Sequence, residues 1–339
     1  MSDPRLHETS IRHRTRDLLA DDLDAGRGST ALIFGLTLFL FFGVGVVSGP
    51  LADRFGPRRL MLLGAVLLSA GLALTSRVDS VVEGYATYGL GVGLGGVPLA
   101  EPLIDDNGWR SAYRTLAVID LVLLTVAALV VLAPPSMPPP PALARMKEVA
   151  ATLAFRRLFL TGLLFSVALF IAFGFIVDFA TDEGITSSRA SLLVGITGAS
   201  SVVGRLALTA LSSRVSSTRL LQACLAAQPV AFALWLVAGG TYPLLVSFAV
   251  LLGVAYGGFV ALGPEVSAAL FGVVGLGSVM GLQFLGAGLG GLFGPPLAGW
   301  LADAMDGRTA PIVLALTVSV AAFILSLGIP SEEVGTSAR

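Results

Sequence analysis

Gly49-Pro50-Leu51-Ala52-Asp53-Arg54-Phe55-Gly56-Pro57-Arg58-Arg59-Leu60 is a short charged turn set between two long apolar runs. Residues 29–49 before it and 60–76 after it hold no ionisable side chain. A bilayer crossing needs roughly 20 apolar residues, and short loops rich in Arg stay on the cytoplasmic side. The stretch is therefore predicted to be a transmembrane hairpin with its turn in the cytoplasm. Gly49 lets two helices approach closely, Asp53 is suited to capping the following helix or pairing with an Arg, and Gly56 with Pro57 makes the turn.

Composition agrees with that reading. Of 339 residues 55% are hydrophobic and 13% charged, and the mean hydropathy is +0.87, which describes an integral membrane protein rather than a water-soluble globule. A formal net charge of -1 and the absence of a basic block give no reason to expect nucleic acid as a partner. The single Cys224 lies in an apolar run and His7 and His13 in the polar N-terminal stretch, so neither a disulfide framework nor a metal cluster is expected, and no cofactor is implied. Gly91-x-Gly93-x-x-Gly96 matches a dinucleotide fingerprint by letters, but no strand precedes it.

Nine full spans are predicted, at residues 29–49, 60–76, 112–133, 158–178, 190–211, 220–238, 243–263, 279–301 and 310–328. Residues 1–28 are polar, with no first span and no signal peptide. The Pro-rich run 134–141 is followed by Arg145, Lys147, Arg156 and Arg157. Residues 134–157 are therefore expected to be an extended, basic cytoplasmic linker. Residues 329–339 form a C-terminal tail.

The pattern G-x-L-A-D-R-x-G-x-R-R-x between two spans resembles the signature loop of the major facilitator superfamily. What the resemblance implies is a secondary transporter of twelve helices in two six-helix halves, moving a small solute by rocking one half against the other. The halves should then repeat. Leu51, Arg54, Arg59 and Leu60 reappear as Leu211, Arg214, Arg219 and Leu220 (211 − 51 = 160). Gly91-Val92 and Gly95-Gly96 match Gly253-Val254 and Gly257-Gly258 (253 − 91 = 162), and Pro98-Leu99-Ala100 matches Pro296-Leu297-Ala298 (296 − 98 = 198). The N-terminal half is thus expected to be short by about 36 residues (198 − 162) just after Gly96.

The expected fold is an all-α integral membrane protein, an incomplete facilitator with an N-terminal half at 29–133 and a six-helix C-terminal half at 158–328. It lacks the first helix and parts of the fourth and fifth. Between two cytoplasmic basic loops the chain must cross an even number of times. The remnant at 84–104 is accordingly expected to be either a re-entrant hairpin pivoting near Gly95-Gly96-Val97-Pro98 or a single Gly-rich helix.

A charge inside a span costs roughly 2.5–3.5 kcal/mol, so each is a functional candidate. Arg205 lies about 9 Å from the inner end of its span, at 1.5 Å per residue. It resembles the substrate-carboxylate Arg of the monocarboxylate and oxalate/formate branch, where a planar guanidinium suits a carboxylate. The alternative is that Arg205 snorkels to the cytoplasmic interface and anchors the helix. Departures from the branch are Ala287 where oxalate exchangers carry a Lys, Ser201 where animal carriers place an acid, and no Arg or Lys in 264–278. One cation instead of two favours a monoanion.

Asp120 and Glu101 are the proton-coupling candidates, Asp120 having the alternative of pairing with Arg114 and Glu101 lying near the outer surface. Asp178 also lies near the outer surface. Gly49, Asp53, Arg54, Gly56, Arg58 and Arg59, with Arg214 and Arg219 of the second turn, are expected to latch the inner gate. Trp235, Trp300 and the run Phe39 to Phe42 are expected to face lipid or pack. Gly286, Gly290 and Gly294 have the small-xxx-small spacing of helix contact.

The function expected is secondary active transport of a small organic anion, by resemblance a monocarboxylate, through proton symport or anion exchange, without enzymatic chemistry. The alternative is a truncated, transport-inactive remnant acting at most as a membrane interaction partner. The expected setting is a multi-pass protein of the inner cell membrane, monomeric by default.

Overall fold

The computed structural model describes residues 38, 39, 42, 43, 45–56, 58, 59, 62–66, 69 and 70, helical positions scattered between 114 and 129, and residues 142–305 and 309–330. The segment 84–104, with Glu101, and Asp120 lie outside the described residues. What is described is helical throughout. With no water in the hydrocarbon core to bond exposed N–H and C=O groups, a spanning segment must satisfy its backbone internally.

Eight helices follow in chain order: α1 Gly45–Phe55, α2 Ala142–Ala151, α3 Leu153–Asp182, α4 Ser187–Ser212, α5 Ser217–Ala238, α6 Tyr242–Phe271, α7 Leu276–Met305 and α8 Thr309–Ser326. α3 to α8 are each long and apolar enough to cross a membrane. They coincide with the six spans expected in 158–328, and several are longer. A helix of 30 residues, such as α3, α6 or α7, runs about 45 Å and so reaches through the headgroups.

α3 packs on α7 and α8, α5 on α6 and α8, α4 chiefly on α6, and α1 on α7. At the α4–α6 seam the backbones nearly touch. A Cβ on Gly257 would lie 1.9 Å from the Ser201 carbonyl oxygen, and one on Gly253 2.4 Å from that of Thr197. Gly290 and Gly294 do the same against Leu163 and Val167 of α3, with Gly286 against the Phe159 ring. The small-residue spacing is therefore helix contact, as expected.

Trp235 is fully buried among Phe179, Phe232 and Phe248, whereas Trp300 is exposed. Phe42 packs against Phe170 and Phe284, and Gly288 meets Phe39 and Phe42. Two described members of the Phe run therefore fill the seam between α1 and the C-terminal half.

The linker departs from expectation. It is helical from Ala142, and α3 begins at Leu153, inside the range assigned to an extended connection. Past the prolines the sequence ALARMKEVAA consists mainly of good helix formers. Thr152 then separates the two helices: its N–H bonds to Val149 O at 3.0 Å, and its Oγ1 accepts the Phe155 N–H at 3.2 Å as the N-cap of α3.

All the basic turns lie at one end of the bundle. Asp53 at the end of α1 bonds to the start of α7, and Ser217 at the start of α5 donates to Glu265 near the end of α6 at 2.8 Å. Arg145 donates to Phe271 O, and Arg157 to Gly328 O. This end carries Arg54, Arg58, Arg59, Arg145, Lys147, Arg156, Arg157, Arg214 and Arg219. Within 142–330 the described residues of the other end offer Asp178, Asp182, Glu183 and Asp303 with one cation, Arg189. The positive-inside rule therefore expects the first end to face the cytoplasm.

Candidate functional site: a cytoplasmic latch and a cation within the membrane

The first turn of any helix leaves N–H groups without intrahelical acceptors. At α7, Leu276 N–H reaches Val273 O and Val279 N–H reaches Gly275 O, each at 3.3 Å. The two between them belong to Asp53. Its carboxylate accepts the Gly277 N–H at 3.0 Å, the Ser278 N–H at 2.8 Å and the Ser278 hydroxyl at 2.6 Å. A carboxylate at a helix N-terminus also meets the positive end of the macrodipole.

Asp53 therefore caps a helix of the opposite half, and not the helix that follows it in sequence. Tertiary approach decides this, because α1 and α7 touch without side chains between them. A Cβ on Gly49 would lie 2.2 Å from the Gly277 carbonyl oxygen, and one on Gly277 2.6 Å from Asp53 Oδ1. Gly56 turns the chain at φ +84°, a left-handed conformation that favours glycine.

The cations of the turn stand outside this bond. Arg54, Arg58 and Arg59 are exposed, with Arg54 5.3 Å over the Phe55 ring. Arg214 and Arg219 are likewise exposed at the second turn. There the position equivalent to Asp53 is Ser213, whose hydroxyl donates to Ala210 O at 2.8 Å, inside its own helix. The repeated turn thus has its cations without the acid, and the bond across the seam has no counterpart there. Substituting Asp53→Asn removes the charge and one acceptor, costing about 2 kcal/mol, or roughly thirtyfold in the closed-to-open ratio. The expected result is a longer distance between spin labels at Phe55→Cys and Leu211→Cys in a Cys224→Ser background.

Arg205 is exposed on α4, and its guanidinium meets a ring of α6. α4 and α6 run in the same direction, with Thr197 against Gly253 and Ser201 against Gly257. Gly204 also meets Val254, so the two helices cross closely along this seam. The guanidinium lies 5.8 Å from the centre of the Tyr256 ring. A helical side chain leans toward its N-terminus, here the outer side, and a ring face attracts the cation.

Tyr256 in turn meets Phe173 of α3 edge-on, with centroids 6.1 Å apart, so three helices share the cluster. Among the described residues no carboxylate pairs with Arg205, the ion pair present being Arg145 with Glu148. The arrangement offers an unpaired cation with aromatic walls.

Three groups escaped the reading of the sequence. Tyr256 looked like one more apolar-span residue. Glu265 lies beyond the span expected to end at 263, yet α6 continues to Phe271. Gln283 is buried and accepts the Ser267 hydroxyl at 2.9 Å, joining α6 to α7. Polar side chains in otherwise apolar helices were the available signal.

Comparison with known proteins bears on the whole chain. The profile described as Major Facilitator Superfamily matches residues 84–241 and 158–338. "Monocarboxylate transporter 3" of Rattus norvegicus is 30% identical over 344 residues, covering 85% of this chain and 69% of the relative. The protein of that name from Mus musculus is 31% identical, with 85% and 68% covered. Among solved structures, the transporter FucP in its outward conformation superposes with a TM-score of 0.67 at 15% identity, over 89% of this chain and 90% of that one. The human organic anion transporter MFSD10 gives 0.63 at 18%, over 91% and 88%. The apolar helices, the signature turn and these matches together place the chain in the Major Facilitator Superfamily, as a membrane transporter of its monocarboxylate-transporter-like branch.

Proposed function

We propose that this transporter carries a small monocarboxylate, with Arg205 as the group that holds its charge. The observation that carries the reading is the guanidinium over Tyr256, within an apolar span and unpaired by any described carboxylate. A cation within an apolar span is costly without a counter-charge, which a carboxylate ligand would supply. Arg also presents the two parallel donors a carboxylate accepts. Ala287, where a second cation would serve a dianion, supports one negative charge in the substrate. Access alternates, and Asp53 with its turn closes the cytoplasmic side. Asp120 and Glu101 remain the carboxylates proposed to carry a coupled proton.

Counterflow into liposomes containing the purified protein tests this. Labelled lactate or acetate should accumulate and be displaced by unlabelled monocarboxylates, while oxalate and a neutral sugar should displace it weakly. Better displacement by oxalate would overturn the assignment to monoanions.

One observation favours the alternative of a transport-inactive remnant. The alignment with the rat relative spans 344 positions yet covers 85% of a 339-residue chain, so the relative carries residues where this chain has none. Residues missing from one half would account for such gaps. Background counterflow for every anion tested, from protein that is monodisperse and folded, is the outcome that selects this reading.

A further inference from the structure

The elbow between α6 and α7 is gripped from two sides. From the N-terminal half, Asp53 holds the N–H groups of Gly277 and Ser278. From the linker helix α2, the Arg145 guanidinium donates to the carbonyl of Phe271, the last residue of α6. Between the two grips lie residues 272–276, a tight connection in which Gly272 and Gly275 adopt φ +81° and +72°. A connection that short transmits a shift of the α6 terminus directly to the α7 N-terminus.

A helix C-terminus leaves carbonyls unsatisfied and favours a cation. The sequence of the elbow supplies none, since 264–278 contains no Arg or Lys and the last turn of α6 has no basic residue. Arg145 comes from 126 residues earlier in the chain. It is oriented by Glu148 one turn on, at 3.2 Å, while α2 is seated by buried Val149 and the following Phe155 meets the Phe271 ring edge-on at 5.8 Å.

We propose that Arg145 is a positioning residue of the cytoplasmic latch: the linker between the halves supplies the cation the elbow lacks, and by fixing the end of α6 it presents the α7 amides to Asp53. This rests on the reading of Asp53 as the latch. It makes the linker part of the gate, coupling the connection between halves to the state of the seam between them.

Hydrogen–deuterium exchange of the full chain in lipid nanodiscs tests it, read at 268–272 and, separately, at Gly277 and Ser278. Arg145→Ala is expected to raise exchange at Gly277 and Ser278 by roughly tenfold or more. Arg145→Lys, which keeps a charged donor, should restore most of the protection. Arg157→Ala, which releases the Gly328 carbonyl at the end of α8, should leave both amides as they were. Asp53→Asn sets the scale for a released latch. Faster exchange confined to 268–272, with both amides still protected, would show simple fraying of α6 and overturn the proposal while leaving the latch intact. Unchanged protection in Asp53→Asn would overturn the latch itself, and the proposal with it. Should Arg145→Ala not fold, comparison of Arg145→Lys with Arg145→Gln decides, equal protection in the two being the adverse result.

Discussion

Arg205→Ala is expected to reduce monocarboxylate uptake to near background without preventing membrane insertion. Losing a charge-assisted bond to the substrate carboxylate costs about 1.5–3 kcal/mol, or roughly 10- to 150-fold in affinity. The side chain is exposed at its position in α4 and bonded to no described carboxylate, so its loss orphans no counter-ion among those residues. Arg205→Lys should fall between, since a Lys ammonium keeps the charge but neither forks onto a carboxylate nor stacks on a ring as a guanidinium does. Tyr256→Leu should raise KM more than it lowers kcat, because the guanidinium is then free to drop toward the interface. Parental uptake by Arg205→Ala, with reduced insertion, would show an anchoring role and remove the anion site.

Among the described glycines, Gly257→Ala should produce the largest loss of stability. The new Cβ would sit 1.9 Å from the Ser201 carbonyl oxygen, 2.7 Å from its carbon and 2.8 Å from Ser201 Cα. All three are backbone atoms of α4, so no side chain can swing away. The helices must part, and overpacking of this kind costs about 1–3 kcal/mol or more. Gly263→Ala on the same helix is the control: its Cβ meets nothing within 4 Å, and the change should stay within about 1 kcal/mol of the parent. Thermal unfolding in one detergent compares the two. Equal midpoints would mean that the α4–α6 seam does not contribute to the stability of the fold. Uptake should fall with Gly257→Ala as well, since Arg205 on α4 and Tyr256 on α6 would be driven apart.

The six C-terminal spans were legible because an apolar run of that length has few alternatives to a transmembrane helix. Their ends were less so. α6 and α7 extend past the hydrophobic window into residues such as Glu265 and Ser278, which belong to the interface and to the latch. The linker was read from its prolines as extended, whereas ALARMKEVAA folds as α2 and places Arg145 on the end of α6. Arg205 stood out as a charge in an apolar helix. Its partner ring did not, because nothing local distinguishes Tyr256 from the aromatic residues that merely fill the core, such as Phe165 stacked on Phe259 at 4.1 Å.

By itself the sequence determined that the chain crosses a membrane, that its basic residues gather in two turns of like spacing, and that Gly49, Gly286, Gly290 and Gly294 bring helices together, though not that Gly253 or Gly257 do. Each follows from burial and charge along one segment, and the bilayer imposes those locally. Only the tertiary structure decided that Asp53 caps α7 rather than its own next helix, that Arg145 reaches the end of α6, and that Arg205 meets Tyr256. These depend on which helices lie side by side, and on backbones touching where no side chain intervenes.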